Sequence, residues 1–177
     1  PLLWNERVIY RFAGNLDGLY PRSEITFDRV GNIYGTTWMG GNCFNPKGCG
    51  IVYRLASSGE GWTETVLWSF HGIDGEFLWG GVVPDAAGNL YGVAGFGGQY
   101  GYGNIYELSP AGSSWTFHVI HSFKGGSDGA NPVGALIFGR DGKIYGTTST
   151  AGGGGGTVFE LSPTENGWSF NTLYELP

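Results

Sequence analysis

Asp17, Asp74 and Asp128 recur along the chain, each followed by glycine, among scattered groups able to do chemistry: His71, His118, His121, Glu76, Cys43 and Cys49. Two carboxylates flanking a sugar bond are what a glycosidase needs, so Asp74 and Glu76 define the one catalytic option, although any acidic loop offers such a pair. His118 and His121 lie three apart, which in a strand turns them to opposite faces and denies them a shared metal. No G-x-S-x-G nucleophile elbow and no H-E-x-x-H metal motif occurs. The glycine run at 152–156 lacks the Lys and Ser/Thr that follow a phosphate loop. The reading is a non-enzymatic chain, with no catalytic residue, no metal site and no cofactor.

Binding chemistry is better represented. Trp38, Trp79, Phe96, Tyr100 and Tyr102 fall in glycine-rich stretches beside Asp17, Asp74, Asp128, Asn42 and Asn131. A ring covers the C–H face of a sugar, and neighbouring carboxylates and amides take its hydroxyls. The Asp-Gly pairs have a second reading as turn caps, because they recur in every unit. Trp38 and Trp79 each occur once, which makes them the more distinctive ligand candidates. Cys43 and Cys49 sit six residues apart in one loop without nearby His ligands, a poor zinc site. We expect a local disulfide, and with it an oxidising compartment.

The elements that must position these groups are set by a repeat. A nine-residue phrase occurs at 4–12 (WNERVIYRF), 62–70 (WTETVLWSF), 115–123 (WTFHVIHSF) and 168–176 (WSFNTLYEL). A fixed phrase returning every fifty-odd residues signals a repeat architecture. Between its copies the sequence predicts four short strands per unit, here a, b, c and d. Strand a is expected at 25–27, 81–83 and 135–138, strand b at 33–37, 90–93 and 144–148, and strand c at 51–55, 104–108 and 157–161. The phrase itself is strand d. Val, Ile, Thr and Tyr fill these runs, and Gly, Asn, Asp and Pro punctuate them; no stretch shows helical periodicity.

The array is read as one domain, 1–177, with units at 13–70, 71–123 and 124–176 and an orphan strand at 4–12. Gly31, Gly88 and Gly142 close the a–b turns, where a positive φ costs glycine nothing. Gly35, Gly92 and Gly146 inside strand b point to close approach by an aromatic ring or backbone. Trp4, Trp62, Trp115 and Trp168 are expected to pack between units. Four antiparallel strands at this period are the blade of a β-propeller.

Composition excludes several classes. The net charge is −6, and the nine Lys and Arg form no cluster. A nucleic-acid partner needs a positive stripe and is not expected. No apolar run reaches the roughly 18 residues of a membrane helix, so membrane insertion is not expected either. The chain begins at Pro1, so it reads as a processed or trimmed chain or a fragment.

The phrases GNIYGTT (31–37), GNLYGV (88–93) and GKIYGTT (142–148), each followed by GIVYRL, GNIYEL or GTVFEL and then by the nine-residue phrase, resemble the bacterial GloVer tandem repeat. The resemblance spans nearly the whole chain. It implies a secreted or cell-surface bacterial array of propeller-like blades and transfers no catalytic motif. The glycine run and the cysteine loop read as local loop variations.

Three blades are too few to close a propeller, and open blades leave strand edges unpaired. The ring is therefore expected to be completed by copies of the chain or by further repeats. In an up-and-down blade the d–a loops (13–24, 71–80, 124–134) and b–c loops (38–50, 95–103, 149–156) share one face. These long, variable loops form the expected binding face. The function expected is an extracellular module for assembly or adhesion, with glycan binding as the alternative and a polysaccharide-active hydrolase or lyase as the second alternative.

Overall fold

A computed structural model describes residues 4–44, 47–151 and 154–177. Gly152 and Gly153 of the glycine run, and Asn45 and Pro46 of the cysteine loop, lie outside the described residues. Within them the chain is all-β: twelve strands form three four-stranded antiparallel sheets that do not close into a barrel. Blade 1 contains β1 (Thr26–Phe27), β2 (Ile33–Thr36), β3 (Ile51–Ser57) and β4 (Trp62–Ser69). Blade 2 contains β5 (Val83–Pro84), β6 (Leu90–Ala94), β7 (Asn104–Ala111) and β8 (Ser114–Ser122). Blade 3 contains β9 (Ala130–Phe138), β10 (Ile144–Thr150), β11 (Thr157–Thr164) and β12 (Gly167–Glu175). Each blade is a meander in which consecutive strands pair.

Blade 2 lies between the other two. One apolar cluster joins Tyr34, Val52 and Leu67 of blade 1 to Val82, Leu90 and Tyr106 of blade 2. A second joins Tyr91, Val93 and Ile105 of blade 2 to Leu136, Ile144 and Phe159 of blade 3. Burial on both faces explains why β6 is apolar throughout and β7 begins Asn-Ile-Tyr, all buried. The phrase strands are outermost and alternate instead, as β4 and β8 do.

The strand b glycines are explained by rings. A Cβ on Gly92 would lie 2.6 Å from Tyr106 Cζ, and one on Gly35 would lie 2.7 Å from Tyr53 Cζ. In blade 3 the same position meets Phe159 and Leu136. The strand c ring therefore lies flat across strand b where only a hydrogen fits.

Four expectations change. Residues 4–12 pair with no strand among the described residues, and Trp4 is 95% exposed rather than packed between blades. No strand c lies beside this segment, so its backbone has no ladder to join. Strand a of blade 1 keeps only two residues, Thr26 and Phe27. Strand a of blade 2 sits at Val83–Pro84, later than 81–83, because Gly80 and Gly81 face the backbone of Gly134 and Glu24 across the blade interfaces. Strand a of blade 3 starts earlier, at Ala130, because β10 runs on past Thr147 and pairs Thr148 with Pro132 and Thr150 with Ala130.

Candidate functional site

The d–a and b–c loops are stitched together in the first two blades by the single bridges Leu19–Met39 and Glu76–Phe96. Three residues after each Asp, in the d–a loops of blades 1 and 2 and at the start of β9 in blade 3, the backbone is left-handed without glycine: Tyr20 (φ +59°), Phe77 (φ +57°) and Asn131 (φ +53°). Bulky residues rarely hold this conformation, and it persists where surrounding structure imposes it. Here backbone bonds impose it. Phe77 N–H donates to Cys49 O at 2.9 Å and Asn131 N–H to Tyr102 O at 2.9 Å, each crossing to the preceding blade. Trp38 N–H donates to Tyr20 O at 3.0 Å, and Gly95 N–H to Phe77 O at 3.2 Å.

This bend turns a row of rings outward. Trp38 lies 5.9 Å from Tyr20, 5.6 Å from Phe77 and 5.8 Å from Trp79, and Phe77 continues to Phe96 at 5.9 Å. The Arg22 guanidinium stands 4.8 Å over Trp38 and 5.0 Å over Tyr20, within cation–π range. The Trp38 Nε1 has no hydrogen-bond partner. Tyr20, Trp79 and Phe96 are exposed. The patch thus spans blades 1 and 2 and brings Trp38 and Trp79 together. Sequence reasoning missed Tyr20, Arg22 and Phe77. The available signal was the aromatic found three residues after Asp17 and Asp74.

Tyr100 and Tyr102 lie elsewhere, and among the described residues no ring contact joins them to Trp38 or Trp79. Lys124 Nζ stands 5.8 Å over Tyr100. Tyr100, Lys124 and His121 border an open cleft of about 480 Å³. Cys43 and Cys49 are bridged, with Cα atoms 5.7 Å apart. Among the described residues no group of three His, Cys, Asp or Glu side chains is placed to hold a metal.

Asp17, Asp74 and Asp128 each close a loop and hold a neighbour. Asp74 accepts the His71 N–H at 2.7 Å through Oδ1 and the Trp68 Nε1–H at 2.9 Å through Oδ2. Asp128 accepts the Lys124 N–H at 3.0 Å and lies 3.2 Å from His121 Nε2. Asp17 accepts the Ala13 N–H at 2.8 Å and the Tyr10 hydroxyl at 3.3 Å. Tyr10, Trp68 and His121 share the seventh place of the repeated phrase. One rule therefore holds three times: the Asp of a blade receives the side chain at place seven of the phrase before it.

That side chain also meets the third place of the following phrase. Trp68 stacks on Phe117 at 5.0 Å, and His121 stacks on Phe170 at 3.8 Å. The ninth place follows suit: Phe70 meets Tyr106 at 5.1 Å, and Phe123 meets Phe159 at 5.6 Å. In blade 1, Phe12 meets Tyr53 at 4.9 Å, so residues 10–12 occupy the seat of a preceding strand d even without a ladder. The third place there is Glu64, not phenylalanine. Glu64 Oε1 and Asp17 Oδ1 are both buried without a hydrogen-bond partner. Burial, and after it the charge of Asp17, pushes the Glu64 carboxyl up to about 7.

A comparison with curated proteins gives no match. A model of the Gloeobacter/Verrucomicrobia repeat, which describes a repeat rather than an enzyme, matches residues 5–176. With three full copies of the phrase, the glycine-bearing strands and the three blades in that span, the chain belongs to the Gloeobacter/Verrucomicrobia repeat family.

Proposed function

We propose that the chain is a non-enzymatic, extracellular propeller-type repeat module that works by joining further blades of its own kind. One observation carries this reading. Ile25, Val82 and Leu136 hold the same place in the repeat, eight residues after Asp17, Asp74 and Asp128, and Val82 and Leu136 are 3% and 1% exposed against the blade before them, whereas Ile25 is 52% exposed. An apolar residue built for an interface stands in solvent. The bridged Cys43–Cys49 pair supports a secreted or cell-surface setting. The partners are copies of the chain or further repeats. Sedimentation over a wide concentration range tests this: association is expected, and a single monomer mass at every concentration overturns it.

A second reading, glycan binding, is favoured by the patch of Trp38, Trp79, Tyr20, Phe77 and Phe96. Rings offered at a loop face beside Arg22 suit a sugar's C–H surface and hydroxyls. A glycan array probed with the chain, Trp38→Ala and Trp79→Ala decides it. Signal lost in both variants supports the patch, and signal kept in both removes it.

A further inference from the structure

We propose that the first-blade seat filled by Tyr10 and Phe12 is the docking site for strand β12 of a second copy, so that residues 4–12 block it until displaced. This rests on the assembly reading above and names its interface.

The two rivals are copies of one phrase. Tyr10 and Tyr174 both hold place seven, and Phe12 and Leu176 both hold place nine. In the two interfaces inside the chain, the place-seven side chain of one blade goes to the Asp of the next. Tyr174 of β12 meets no further blade among the described residues and is exposed. For Asp17, the next acceptor in register, the visitor is the chain's own Tyr10.

The rest of the last blade's outer face matches this vacancy. Leu67 is 7% exposed under blade 2, while Leu173 at the same place in β12 is 47% exposed. Val52 and Ile105 are fully buried under the next blade. Their counterpart Val158 lines, with Ile137 and Tyr145, an open groove of about 190 Å³. In the inner interfaces that surface is covered by Val82 or Leu136. The residue of blade 1 in register with those two is Ile25. A second copy placed as blade 2 sits on blade 1 thus lays Ile25 on the groove and Tyr174 on Asp17 together. It continues the interface the fold already makes twice.

Both phrases cannot occupy the seat at once. Residues 4–12 hold it through a few side chains and no ladder, so seating them orders a free segment. β12 arrives already ordered by its pairing with β11 from Thr157 to Thr164, and it brings the groove with it. Preorganisation and added apolar contact favour exchange. The contact is heterologous, one face meeting a different one, and can extend or close.

Sedimentation velocity on the full chain tests the proposal, with circular dichroism confirming that each variant keeps its β signature. Loosening the segment with Tyr10→Ser and Phe12→Ser raises the fraction of open seats, and association is expected at concentrations lower by about tenfold. Ile25→Glu or Leu173→Glu is expected to leave monomers. Each spoils only one of the two faces, so an equimolar mixture of these two variants is expected to give the mass of a single pair. Association weakened by loosening the segment, or a mixture that stays monomeric, overturns the proposal. Association that survives both glutamates overturns this interface and leaves assembly standing. Monomers for every variant at every concentration overturn both.

Discussion

The seat on blade 1 and the seats on blades 2 and 3 are the same place in the repeat filled by different chemistry. On blades 2 and 3 a ring from the preceding phrase stacks on Phe117 or Phe170 while its polar end reaches Asp74 or Asp128. On blade 1 the stacking partner is replaced by Glu64, which faces Asp17 across buried, unpartnered oxygens. Stacked rings make a permanent joint here, since their faces are covered and their polar ends are received by Asp74 and Asp128. A carboxylate in that place makes a joint that is weaker and depends on protonation. One backbone position thus serves twice as core and once as an exchangeable dock.

The largest effect expected from this contrast is at the ninth place. Phe70 is fully buried, and Phe70→Ala is expected to cost about 3–5 kcal/mol of unfolding free energy, the usual range for emptying an aromatic site. Phe12 is half-buried on the open blade, so Phe12→Ala is expected to cost about 2 kcal/mol or less. Urea unfolding of both variants measures the difference, and equal losses would erase the distinction between joint and dock.

The aspartates come next. Asp74→Ala leaves the Trp68 N–H without its acceptor, and the expected cost is about 1–3 kcal/mol. Asp17→Ala loses bonds from Ala13 and Tyr10 but unloads the charge facing Glu64, so its net cost is expected to be smaller. The sharper readout is the Glu64 carboxyl, which an NMR titration should find moved down from about 7. A Glu64 titration unchanged by Asp17→Ala would mean that the two carboxylates do not face each other.

Much of this fold was legible because each signal was local and repeated. The phrase named strand d, the turns closed by Gly31, Gly88 and Gly142 named the a–b hairpins, and a glycine fixed in mid-strand announced the ring of Tyr53, Tyr106 or Phe159. Failures came where meaning depends on a neighbouring blade. Trp4 matches Trp62 letter for letter yet stands in solvent, because burial belongs to the interface and not to the phrase. Tyr20 and Phe77 hid the bend that builds the aromatic patch, since bulky rings ordinarily argue against positive φ. Glu64 is visible as the odd letter when the phrases are aligned. Its shifted titration is not, because neither its burial nor the charge of Asp17, 47 residues away in sequence, shows in the phrase. The doubled role of Asp17, Asp74 and Asp128 was half readable: their recurrence gave the turn cap, and only the fold gave the partner across the blade.

The smallest effect separates the seats by the sign of their pH response. Glu64 titrates near 7 in the fold against 4.5 when unfolded, so the folded chain holds its proton more tightly. Its contribution to stability is fully present below about pH 4.5 and is lost as pH rises through about 7. His121 behaves oppositely. Burial lowers its imidazole below 6.5, with the hydrogen bond and charge of Asp128 offsetting part of that, while Lys124 lowers it further. Its contribution is present above pH 6.5 and is lost as pH falls below that value. The groups facing Glu64 are Asp17, Tyr10 and Tyr53. With solvent screening around a half-exposed carboxyl allowed for, the Glu64 effect amounts to about 1 kcal/mol. In the intact chain the two trends overlap and partly cancel below pH 6.5, so single variants are needed to see either. Unfolding free energies across this range should show Glu64→Gln losing stability only toward acid, and His121→Gln losing it only toward neutral pH. A Glu64→Gln curve that still falls toward neutral pH would remove the carboxylate from the first seat's chemistry and leave its weaker hold to packing alone.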